Sequence, residues 1–149
     1  MKNLIIDLDG TLTIDDKNVP YDKKRVNTAV VTQLRAYKEK GFNISIYTSR
    51  NMKTFSGDLE QIRAKTLPII IEWLESHKIP YDSVIIGKPW CGEEGFYVDD
   101  RAVRPDEFAT LSYEEICALS KIDSKNSKDS INCDFTTCGG GGGIMILNA

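Results

Sequence analysis

Residues 3–11 read NLIIDLDGT: an apolar run that ends in two carboxylates, Asp7 and Asp9, one residue apart, with Gly10 behind them. A run of Leu and Ile this continuous belongs to a strand inside a core, where an unpaired carboxylate costs several kcal/mol or takes up a proton. Something must therefore compensate the acids. If the strand continues through them, Asp7 and Asp9 at i and i+2 share one face, and Gly10 lets the chain turn sharply away.

Three further apolar runs of the same kind follow, at Ile44–Tyr47, Val84–Ile86 and Phe96–Val98. Like Leu4–Leu8 they are short and continuous rather than alternating, which predicts strands covered on both faces. Helical spacing fills the gaps. Val26, Val30, Leu34 and Tyr37 form one stripe that stops at Gly41. Leu67, Ile70, Ile71, Trp73 and Leu74 form a second, which starts near Thr66 with Pro68 in its first turn and ends before Pro80. Ser112 with Glu115 is a capping box opening a third, which should bury Tyr113, Ile116 and Leu119 or a neighbouring set. Strands alternating with helices of this length imply βαβ units with right-handed crossovers. The expected fold is α/β: a three-layer, Rossmann-like arrangement around a mainly parallel sheet.

In an open parallel sheet, ligands bind beyond the carboxyl ends of the strands, so the residue after each apolar run is the one to inspect. Asp7 and Asp9 follow the first run; Thr48, Ser49 and Arg50 the second; Gly87 and Lys88 the third; Asp99, Asp100 and Arg101 the fourth. Acids in such number repel one another unless a divalent cation neutralises them, and carboxylate oxygens with some waters are what Mg²⁺ selects.

Bulk properties narrow the class. A chain of 149 residues suits a single core. Its net charge of −3 and pI near 5.2 argue against nucleic acid as the main partner, because phosphate backbones demand a basic surface. The first apolar run is broken by Asp7 after a few residues, so neither a secretory signal nor a membrane span is expected, and a cytoplasmic location is. Cys91, Cys117, Cys133 and Cys138 contain no C-x-x-C pair and are expected to be free thiols. From Lys121 the composition turns polar and then glycine-rich. Residues 1–120 are therefore read as the folded core and residues 121–149 as a disordered tail, with Ile144–Leu147 as its one apolar fragment.

The pattern D-x-D-G-T at Asp7–Thr11, with Thr48, Lys88 and the pair Asp99–Asp100 after successive strands, resembles the haloacid dehalogenase-like (HAD) phosphohydrolases. The resemblance covers roughly residues 1–120. It implies that Asp7 attacks phosphorus and forms an aspartyl-phosphate, and that Asp9 serves as acid and then base. Thr48 would hydrogen-bond a phosphoryl oxygen and Lys88 would offset transition-state charge. It also implies a Mg²⁺ ion held by Asp7, by the Asp9 backbone carbonyl and by Asp99, with Asp100 ligating through water or orienting Lys88. The phrases TSRNM, TLPIIIEWL, IPYD, GKPWCG and GFYVDDRAVRP resemble a small uncapped group of this superfamily associated with bacterial capsule polysaccharide synthesis, which implies a phosphorylated sugar as substrate.

No cap domain fits between Thr13 and Ile44 or between Arg50 and Val84. An uncapped site is screened by short loops, by the substrate or by a second copy of the chain, so a homo-oligomer is one expectation. Residues 50–65 are the candidate lid. Ser49, Arg50, Asn51, Arg101 and Arg104 are the candidate substrate-binding residues, the arginines by forked hydrogen bonds to an anionic group. Two other readings use the same groups: a phospho-accepting receiver module, and a phosphatase acting on macromolecular phosphates. Receivers place their acidic pair before the phospho-acceptor, whereas here the D-x-D comes first with Asp9 beside it to promote hydrolysis.

Overall fold

The computed structural model describes residues 1–123. The expectations for a disordered tail and for Ile144–Leu147, together with Cys133 and Cys138, lie outside the described residues. Within them the order is β1 (Asn3–Ile6), a 3-10 turn (Tyr21–Lys23), α1 (Thr28–Glu39), β2 (Asn43–Thr48), α2 (Leu59–Lys65), α3 (Leu67–Ser76), β3 (Ser83–Ile86), α4 (Pro105–Thr110) and α5 (Tyr113–Leu119). The strands form one parallel sheet in the order β1-β2-β3, with Ile6 beside Ile46 and Thr48 beside Ile86. This is the α/β fold with a parallel sheet that the alternating runs predict.

Helix α1 forms because Asn27 caps it, its side chain accepting the Val30 N–H, and because Val30, Val31, Leu34 and Tyr37 line one face. Helix α3 opens with proline in its first turn and buries Ile70, Trp73 and Leu74. Both faces meet Ile6, Ile44 and Ile46 in a single core. Helix α5 carries the expected capping box, but Cys117 takes the buried position and Leu119 stays exposed. Cys91 and Cys117 are free, as expected.

Two findings depart from the reading of the runs. The sheet is covered on one face only among the described residues: Ile5 and Ile85, which point the other way, are 66% and 44% exposed. Phe96–Val98 forms no strand. Phe96 is 79% and Val98 88% exposed, and among the described residues β1 remains an edge. The reason is local: Tyr97 is tied back to the start of its own loop, its hydroxyl donating to the Pro89 carbonyl at 2.6 Å, rather than to β1. Two short helices also carry weak periodic signals. Helix α2 buries only Ile62, and α4 only Phe108, which stacks on Tyr37 with ring centroids 5.2 Å apart.

Candidate active site

Beyond Ile6 the chain wraps around one carbonyl. Leu8 O accepts the N–H groups of Thr11, Leu12 and Thr13 at 3.3, 2.9 and 3.1 Å, and Gly10 takes a φ of +77° that disfavours any side chain. Leu8 and Leu12 are thereby fully buried. Asp7 and Asp9, on either side of Leu8, are left at the rim of the core, only partly exposed.

Asp7 meets two side chains. Lys88 Nζ lies 3.4 Å from Oδ1, and the Thr11 hydroxyl donates to Oδ2 at 3.4 Å. Burial pushes the Asp7 carboxyl above its ordinary 3.8, while Lys88 and the Leu8 N–H pull it back. Lys88 arrives from β3 through Gly87, whose φ is +86°, and its N–H bonds the Thr48 carbonyl at 3.1 Å. The Lys88 ammonium also sits 4.4 Å from the centroid of the Tyr97 ring, which adds a cation–π contact on its outer side. Thr48 is 1% exposed; its Oγ1 accepts the Arg50 N–H at 3.1 Å, so its own hydrogen is available to donate elsewhere.

Asp9 is held more tightly. Arg50 grips it with both prongs of its fork, Nε to Oδ2 at 2.9 Å and Nη2 to Oδ1 at 2.7 Å. Lys24 Nζ adds a third contact, 3.4 Å from Oδ1, and reaches Asp15 at 3.2 Å. Arg50 and Lys24 are only 4% and 6% exposed. The Tyr21 ring covers both cations, with its centroid 4.3 Å from the Arg50 guanidinium carbon and 4.7 Å from Lys24 Nζ.

Of the residues expected at the site, Asp7, Asp9, Thr48 and Lys88 stand at adjoining strand ends. The others are placed differently. Arg50 faces inward onto Asp9, not outward towards a substrate. Asn51 is an internal brace, its Oδ1 accepting the Thr66 hydroxyl at 2.9 Å. Ser49 lies against the Tyr97 hydroxyl. Arg101 is exposed, with its N–H on Asp99 Oδ1 at 2.8 Å. Arg104 heads α4, with its N–H on Glu107, and lines a cleft of about 460 Å³ with Gly10 and Asn27.

Asp99 and Asp100 are exposed on the 89–101 loop, and among the described residues no three of His, Cys, Asp and Glu come together as a metal cluster. The candidate lid 50–65 is a run of turns followed by α2, anchored by Ile62. The segment lying against the acids is instead residues 14–25, closed at its base by Ile14 N–H on Arg25 O and Asn27 N–H on Leu12 O, both at 2.8 Å. Lys24 and Tyr21 are site residues that motif reading passes over, and Thr11, the last residue of the D-x-D-G-T pattern, is one to which it assigns no role. Lys23–Lys24–Arg25 has the composition of a solvated charge run, and only contacts distant in sequence set Lys24 apart.

The fold has a near relative of known structure. The chain is 52% identical to an MCSG target from Vibrio cholerae solved by crystallography, over 81% of this chain and 98% of that one, with a TM-score of 0.78. Two chains from the Pnkp1/Rnl/Hen1 complex, described for one of them as an RNA repair complex, are 24% and 19% identical. They cover 57% and 80% of this chain and 27% and 30% of their own length. Their TM-scores of 0.45 and 0.44 leave them without weight for the fold or the site. No protein-family model matches the chain, and no curated protein does.

Proposed function

We propose that this chain, which belongs to one family with the Vibrio cholerae protein, is a phosphatase of the HAD type that hydrolyses phosphate monoesters of small metabolites. The observation that carries the reading is the Asp7–Lys88 pair at the strand ends, with Asp9 two residues on and Thr48 on the neighbouring strand.

Asp7 attacks phosphorus, the bond to the leaving oxygen breaks, and Asp9 supplies that oxygen's proton. Water then attacks the aspartyl-phosphate, its proton passes to Asp9, and the bond from phosphorus to Asp7 breaks to release inorganic phosphate. Lys88 offsets the charge on the phosphoryl oxygens and the Thr48 hydroxyl donates to one of them. Magnesium, which Asp7, the Asp9 carbonyl and Asp99 would hold with Asp100 nearby, would supply further charge neutralisation when bound, and no step is assigned to it.

The substrate class we propose is a phosphosugar of polysaccharide synthesis, acted on in the cytoplasm. Arg104, the one candidate arginine lining a cleft beside Gly10, is the group that would meet its anionic part.

The test is phosphate release from a panel of phosphosugars, nucleotides and phosphopeptides, with magnesium and with chelator. Turnover of phosphosugars that disappears in Asp7→Asn is the expected result. Release from none of the panel, or a stable aspartyl-phosphate with no turnover, overturns it.

A further inference from the structure

Asp9 is the most heavily engaged acid of the rim. Its Oδ1 accepts from Arg50 Nη2 and Lys24 Nζ, at 2.7 and 3.4 Å, whereas among the described residues Oδ2 accepts only from Arg50 Nε, at 2.9 Å. Among the described residues Arg50's remaining nitrogen, Nη1, is buried without a hydrogen-bond partner. The guanidinium is where the fork on Asp9 requires it to be.

Lys24 is delivered just as deliberately. Its backbone carbonyl accepts the Trp73 indole N–H at 2.9 Å in the core, so the 14–25 segment is pinned by the residue that reaches Asp9. Tyr21, from the same segment, closes over both cations.

We infer that Lys24 and Arg50 are positioning residues for Asp9, which hold its carboxylate so that Oδ2, the oxygen with the freer lone pair, faces the reacting water. This rests on the phosphatase reading above. In the second half-reaction the water oxygen bonds to phosphorus, its proton goes to Asp9 Oδ2, and the Asp7 oxygen departs with its electron pair. A carboxylate that rotates freely presents this oxygen only part of the time. Loss of the clamp therefore slows release of phosphate from Asp7, more than formation of the aspartyl-phosphate from a substrate whose leaving group needs no proton.

The experiment uses p-nitrophenyl phosphate, whose leaving group departs as the phenolate. Rapid-mixing traces are recorded for the full chain and for Lys24→Met, Lys24→Arg and Arg50→Lys, with folding checked by circular dichroism. In Lys24→Met and Arg50→Lys the steady rate at saturation should fall about 10²-fold and KM should fall with it, leaving kcat/KM little changed, since a misplaced base forfeits about 10²–10⁴-fold in the step it serves. The initial burst should stay near about one equivalent of nitrophenol per chain, the sign of an accumulating covalent intermediate. Lys24→Arg, which keeps the cation, should recover most of the rate. Burst and steady rate falling in the same proportion would mean lost active protein, and an unchanged steady rate would mean no role; either overturns the inference while leaving the phosphatase reading standing. A full chain that releases nothing from p-nitrophenyl phosphate or the panel overturns both.

Discussion

The turn after β1 and the 89–101 segment each set acids behind a short apolar run, yet they end in opposite states. At the turn, Leu8 and Leu12 are sealed in the core and Asp9 is gripped by two buried cations. In the loop, Phe96 and Val98 lie open to solvent and, among the described residues, Asp99 holds only the amide of Arg101. The difference teaches that an apolar run with acids behind it becomes a site only where the chain supplies partners from elsewhere. Residues 24, 50 and 88 do so for the first pair. Tyr97 turns back on Pro89 and Lys88, and the second pair stays exposed on the loop.

The deepest break of this contrast is Asp7→Asn, which should lower turnover by about 10⁴-fold or more, as loss of a nucleophile does. Circular dichroism should be unchanged, because the amide can still accept from Thr11. A variant that keeps more than a trace of activity removes Asp7 from the nucleophile's place. Next in size is Leu8→Ala, which opens a cavity in the sealed half and should cost about 2–5 kcal/mol in urea unfolding. Val98→Ser, on the open half, should stay within about 0.5 kcal/mol. Equal costs for the two would mean that the loop packs in solution as tightly as the turn.

Asp99→Asn sharpens the comparison further. Its effect on turnover should match the effect of chelating magnesium, deep together or slight together, since both report whether the loop's acids join the rim. A deep loss from one and a slight loss from the other breaks that link.

The smallest effect concerns acid. Asp82 accepts the Ile44 N–H at 2.7 Å and Lys38 Nζ at 2.6 Å, and these bonds, Ile44 first, hold its carboxyl below the ordinary 3.8. A lowered carboxyl contributes stability that is whole above its unfolded value and lost as pH falls through its folded one. Asp82→Asn should therefore unfold more readily than the parent at neutral pH, with the gap closing below pH 3.8 in a circular dichroism titration. A gap that widens in acid contradicts the assignment.

Much of this was legible in the residues. The β1 to β3 runs, the α1 and α3 stripes and the Ser112 capping box all rest on local periodicity or local hydrogen bonds, and all appear in place. The positions of Asp7, Asp9, Thr48 and Lys88 follow from the strands that carry them. What was not legible is non-local. Phe96–Val98 has the composition of a strand, but a strand is made by its neighbour. Arg50 and Lys24 are charged residues with no period, and their partner is 41 and 15 residues away. Helices α2 and α4 are too short and too thinly apolar to announce themselves, although Asp58 and Pro105 mark where they begin.

The bond from the Trp73 indole to the Lys24 carbonyl gives the molecule an optical readout of its own. An indole whose N–H is buried and bonded emits at shorter wavelength than one that meets water, so detachment of the 14–25 segment would shift the emission of Trp73 to the red. With Trp90 replaced by phenylalanine to silence the more exposed fluorophore, one wavelength would report whether the lysine beside Asp9 is docked, in solution and without a substrate.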